Sequence, residues 1–83
     1  MQITIKLFAS LADHLPAGAH KNEAGMTVAD GATVAAVITE LHLPTEQCHL
    51  VLVNGAFVAP GERAARALNP GDALAIWPPV AGG

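Results

Sequence analysis

The residues best placed to do chemistry lie at the end of the sequence, which reads AIWPPVAGG from Ala75 to Gly83. Pro78-Pro79 favours an extended polyproline conformation. No large side chain follows Val80, so Val80-Ala81-Gly82-Gly83 is a thin thread that can enter a narrow channel. A carboxylate on Gly83 has no Cβ beside it, so an activating enzyme can approach its carbonyl closely. Exchanging a carboxylate oxygen for sulfur, nitrogen or another oxygen requires activation first, and a phosphoanhydride with AMP is the usual device. The competing reading is a frayed end without consequence. Gly-Gly alone would not separate the two. Gly-Gly behind Pro-Pro, a Gly-Asp turn and a core strand is more specific and favours a working end.

Elsewhere chemistry-bearing residues are sparse. Cys48 is the single cysteine, which rules out an intrachain disulfide, a zinc knuckle and a cysteine-ligated iron–sulfur cluster. His49 follows it directly, but adjacent residues on extended backbone point to opposite faces and make a poor nucleophile–base pair. Cys48 therefore reads as a small, semi-buried residue at a strand start. His14, His20, His42 and His49 show no i, i+4 pairing and no surrounding cluster, so no metal site is expected. His42 reads as the last turn of a helix, where its charge would favour the dipole. The glycines form neither GxGxxG nor a P-loop, and no Ser-His-Asp set stands out. The chain is expected not to be an enzyme by itself.

Composition narrows the classes further. Hydrophobic residues make up 52% of the 83 and charged residues 13%, which excludes a disordered chain and fits one small domain. The net charge is −3, and Lys6, Lys21, Arg63 and Arg66 form no basic stripe. Nucleic acid and anionic membrane surfaces are therefore not expected partners. The apolar runs are too short to span a bilayer, and no signal-peptide layout precedes the first strand. The expected location is cytoplasmic.

The elements that would position the terminal thread can be read from periodicity. Residues 2–8 alternate, with Ile3, Ile5 and Leu7 on one face and Gln2, Thr4, Lys6 and Phe8 on the other. A short helical turn near residues 10–14 leads into a loose connection, then a second strand over 26–30. Thr33 is the expected N-cap of a helix of about ten residues, in which Val34, Val37, Ile38 and Leu41 form one apolar stripe. Leu43-Pro44 is expected to stop it. LVLVNGAFV reads as a hairpin around Asn54-Gly55, and Asn69-Pro70-Gly71-Asp72 as a type II turn. A last strand over 74–77 puts Leu74 and Ile76 inward and Ala75 and Trp77 outward.

This order predicts an α+β, ubiquitin-like β-grasp fold: a mixed sheet of about five strands with one main helix packed across it, the first and last strands side by side. Residues 1–78 would form the domain and 79–83 a flexible tail. Phe8 and Trp77 would then share the outer sheet face, and an aromatic patch facing solvent often marks an interface.

Four stretches, ITIKLFASLAD, DGATVAAVITEL, VLVNGAFV and LNPGDALAIWPPVAGG, run in order along nearly the whole chain. In them the sequence resembles the MoaD/ThiS ubiquitin-like sulfur carriers, and most closely the MoaD-type small subunits of molybdopterin synthase. The tail is the specific part of the match. The resemblance implies that Gly83 is adenylated by a ubiquitin-activating-type partner (MoeB-type) using ATP and magnesium, and is then converted to a thiocarboxylate by a persulfide donor. It implies that the tail enters a MoaE-type large subunit, where the sulfur passes to a pterin precursor of the molybdenum cofactor. The carrier itself would bind no cofactor. Gly82 and Gly83 carry over as the reacting end; Phe8, Trp77, Pro78, Pro79, Val80 and Ala81 carry over as partner contacts. Trp77 departs from the phenylalanine or smaller apolar residue expected there. A related carrier for thiamine, tRNA thiolation or cysteine synthesis, a ubiquitin-like protein modifier, and a plain interaction module with an idle tail are the alternatives.

Overall fold

The computed structural model describes residues 1–79. Among these residues five strands, β1 (Gln2–Leu7), β2 (Glu23–Thr27), β3 (Leu50–Val53), β4 (Ala56–Phe57) and β5 (Ala73–Trp77), form one sheet, and a single α-helix, α1 (Val34–Glu40), lies between β2 and β3 in the chain. Short 3-10 turns occupy Ala9–His14, Thr45–Gln47 and Pro60–Glu62. The strand order across the sheet is β2-β1-β5-β3-β4. β1 runs parallel to β5, and the other neighbours are antiparallel. This is the β-grasp arrangement, with first and last strands adjacent at the centre.

Alternation decides which sheet face is covered. Ile3, Ile5 and Leu7 of β1, Val51 and Val53 of β3, and Leu74 and Ile76 of β5 are all buried. They share one core with Val34, Val37, Ile38 and Leu41 from the helix stripe. Thr33 caps α1, its hydroxyl accepting from the Ala36 amide at 3.1 Å. The hairpin turn has φ of 50° at Asn54 and 83° at Gly55, the two positive values a type I′ turn requires. Gly71 has φ of 85° at the position where a type II turn needs it, and the Asp72 amide donates to the Asn69 carbonyl across that turn.

Three boundaries differ from the sequence reading. β2 begins at Glu23 and ends at Thr27, ahead of the expected 26–30, because the β1 register pairs Lys6 with Glu23 and Gln2 with Thr27. Its inward side chains are Ala24 and Met26, and alanine with exposed Gly25 gave little periodic signal. The helix has seven residues where about ten were expected. His42, expected in its last turn, lies beyond it with φ of 58°. There the Leu43 amide donates to the Ile38 carbonyl and the His42 amide to the Thr39 carbonyl, the paired bonds of a Schellman ending. Buried Ile38 and Leu43 supply its apolar contact, so the helix ends before Pro44 can act.

Candidate functional site

β1 and β5 end side by side, with Leu7 in register with Ile76. The next position on β1's strand path is Phe8, whose amide still donates to the Ile76 carbonyl at 3.3 Å. Both aromatics therefore reach the outer face together. The Phe8 and Trp77 rings stack in parallel, centroids 4.3 Å apart and planes 1° from parallel. Each is half-buried, shielded by the other on one side. The expected aromatic pair is thus present as a direct contact.

The registers extend this pair into a patch that the sequence reading missed. Trp77 lies opposite Leu50, and a parallel row runs Lys6, Ala75, Leu52, Phe57 across β1, β5, β3 and β4. Leu50 is 36% exposed and Phe57 60% exposed. With Val51 and Val53 inward, Leu50 and Leu52 must face outward. The signal was weak because LVLV is apolar at every position, leaving no polar contrast to phase the strand. The outer face is therefore apolar over β5, β3 and β4, with Lys6 and Glu23 as its charged border on β1 and β2. At the β4 edge, Phe57 also borders a cavity of about 340 Å³ whose polar walls are Glu62 and Arg66.

A polar clamp fixes the strand that leads to the tail. The Asn54 side-chain amide donates to Asp72 Oδ1 at 2.9 Å, and Asn54 Oδ1 accepts from the Ala73 amide at 2.9 Å. The Asn69 amide donates to Asp72 Oδ2 at 2.8 Å. The Asn69 amide first, then Asn54, hold the Asp72 carboxyl below its ordinary value. The β3–β4 turn and the turn entering β5 are thereby tied together.

Pro78 is buried and Pro79 exposed, so the chain leaves the domain between them. Val80, Ala81, Gly82 and Gly83, the rest of the expected site, lie outside the described residues. Cys48 is far from this exit in character: it is buried, more fully than expected, and its Sγ donates to the Pro44 carbonyl at 3.4 Å. Burial pushes its thiol up, against a smaller opposing pull from Arg63, so it is a poor nucleophile. His49 is exposed, on the opposite side from Cys48. Among the described residues no three His, Cys, Asp or Glu side chains are grouped to hold a metal ion, and no helix is long and apolar enough to cross a membrane.

Residues 5–83 match the ThiS family. The chain belongs to the ThiS family. This places it among the ThiS/MoaD sulfur carriers that the sequence resembles, small proteins that are generally non-catalytic. None of the curated proteins matches it. Among solved structures it is similar to the HVO 2177 protein of Haloferax volcanii, at 30% identity and TM-score 0.76 over 100% of this chain and 87% of that one. It is also similar to SAMP1 of Haloferax volcanii, at 29% identity and TM-score 0.66 over 100% of both chains. A third similar structure is that of a Helicobacter pylori protein in the complex of subunits 1 and 2 of molybdopterin-converting factor. It has 16% identity and TM-score 0.60 over 100% of both chains, a likeness of fold.

Proposed function

We propose that this ThiS-family chain carries sulfur as a thiocarboxylate on Gly83, and that it serves molybdenum cofactor synthesis. The observation that carries the reading is the family match running through Gly82 and Gly83, joined to a domain that delivers the chain exit beside an apolar outer face. A carboxylate oxygen of Gly83 attacks the α-phosphorus of ATP, and pyrophosphate leaves. A persulfide sulfur then attacks the acyl adenylate and AMP leaves. A second thiol cleaves the resulting acyl disulfide, leaving the thiocarboxylate and taking the donor away as a disulfide. A MoeB-type partner supplies ATP, magnesium and the adenylation site; this chain supplies the carboxylate and the docking face. The reading requires Gly83 to bear a free carboxylate, which intact-mass measurement reads directly.

The partner that receives the sulfur is a MoaE-type large subunit, which transfers it to a pterin precursor. Support for this branch is the PPVAGG thread and the subunit 1–subunit 2 complex of the Helicobacter pylori protein. In that role the face centred on Trp77, Leu50, Leu52 and Phe57 packs on the partner, and Val80 to Gly83 enter its active site. Similarity to SAMP1 along the full length favours a second reading, a protein modifier joined through Gly83 to lysines. Mixing the thiocarboxylated chain with a candidate large subunit and its pterin precursor separates the two. Sulfur transfer to the pterin supports the carrier. Conjugates to lysines of other proteins, without sulfur transfer, support the modifier and overturn the molybdenum assignment.

A further inference from the structure

The side of the domain opposite the outer sheet face holds a buried cation with no partner among the described residues. Arg63 is only 7% exposed, and its Nε and Nη2 are buried with no hydrogen-bond acceptor among the described residues. No acid among the described residues lies in ion-pair range of it. The flanking acids on the two neighbouring 3-10 turns, Glu46 and Glu62, stay exposed. Burying a guanidinium is costly unless acceptors replace its water, so an orphaned one needs an explanation.

The backbone gives Arg63 this position. Its carbonyl accepts from the Ala35 amide at 3.0 Å, tying the residue to the first turn of α1. The side chain then helps form a cavity of about 210 Å³ between α1 and the turns Thr45–Gln47 and Pro60–Glu62. Ile38 and Arg63 form its buried floor; Thr39, Thr45, Pro60 and Ala64 form an exposed mouth. Liquid water occupies about 30 Å³ per molecule, so the space admits an ion of several heavy atoms.

The two orphaned nitrogens are not an arbitrary pair. Nε–H and Nη2–H lie along one edge of the guanidinium and point the same way, which is the fork that grips two oxygens of one oxyanion. We propose that this cavity is a binding site for a small oxyanion, a carboxylate or a phosphate, held bidentately by Arg63 and at its mouth by the hydroxyls of Thr39 and Thr45. Both nitrogens are closed off from solvent as the side chain stands, so binding requires the guanidinium to turn its open edge into the cavity. The site is separate from the sheet face, and it does not depend on the carrier reading.

The test is an NMR titration of the full chain with inorganic phosphate and, separately, with acetate, against chloride at matched ionic strength. The arginine Nε–H signal and the amides of Thr39, Thr45 and Ala64 are followed. A saturable shift with phosphate or with acetate is expected, and the arm that saturates assigns the ion. Arg63→Met keeps the bulk without the charge and should bind at least about tenfold more weakly, the worth of one charge-assisted hydrogen bond. Arg63→Lys keeps the charge without the fork and should also bind more weakly than the native chain. Linear, chloride-like shifts in both arms would overturn the site, as would saturation unchanged in Arg63→Met. If Arg63→Met does not fold, the native titration and Arg63→Lys decide.

Discussion

Two substitutions on neighbouring strands test whether the apolar outer face is a surface. Phe57 is the larger residue but is 60% exposed, whereas Val51 has 0% exposure and sits in the core beneath the helix. Val51→Ala removes two buried methyl groups, about 1.6 kcal/mol of transfer free energy, and adds a cavity term, for a total of about 2–3 kcal/mol. Phe57→Ala loses mainly exposed surface and should cost about 0.5 kcal/mol or less. Urea unfolding followed by circular dichroism reads the difference. With an m-value of about 1 kcal/mol/M for so small a domain, Val51→Ala should lower the midpoint by about 2 M or more, and Phe57→Ala by about 0.5 M or less. Residue size alone predicts the opposite order. If Phe57→Ala costs as much as Val51→Ala, the phenyl ring is part of the core and the docking face at β4 does not exist. If the order holds, Phe57→Ala should still weaken binding to the large subunit.

The stacked pair predicts coupling: a double-mutant cycle of Phe8→Ala and Trp77→Ala should show about 1 kcal/mol of interaction in unfolding experiments, and simple additivity would contradict the 4.3 Å stack. Hydrogen bonds hold the folded Asp72 carboxyl below its ordinary value of 3.8, so its stabilisation is complete above that value and is lost as pH falls through the folded one. Asp72→Asn should therefore lower the urea midpoint at neutral pH and flatten its decline in acid; an unchanged acid profile would remove Asp72 from the clamp. Thr33→Ala should cost about 1 kcal/mol by freeing the Ala36 amide, and Thr33→Ser should retain most of that, both read from thermal or urea unfolding.

Much of the fold was legible because individual residues left little choice. Thr33 followed by apolar residues at helical spacing set the start and face of α1. Asn54-Gly55 and Pro70-Gly71 marked turns that require positive φ. Element order suggested that β1 and β5 lie side by side, and alternation put Phe8 and Trp77 on the outer face; the parallel sense and the ring stack came from the structure. The end of α1 was not legible, because a left-handed His42 closes it where glycine is the usual signal. The extent of the outer face was hidden for a different reason. Leu50 and Leu52 sit between valines of the same polarity, so only strand pairing shows which pair faces out. Arg63 read as one of four scattered cations, since nothing in the sequence shows that tertiary packing buries it.

The central claim concerns one atom at Gly83. The purified chain, confirmed by intact mass to end at Gly83, is incubated with a MoeB-type activating enzyme, ATP, magnesium and a persulfide donor, and its mass is measured again. The account predicts a gain equal to exchanging one oxygen for sulfur, confined to the C-terminal peptide, dependent on ATP and absent when Gly83 is deleted. Sulfur retained on Cys48 instead, or an unmodified C-terminal peptide under conditions that load a known carrier, would contradict it.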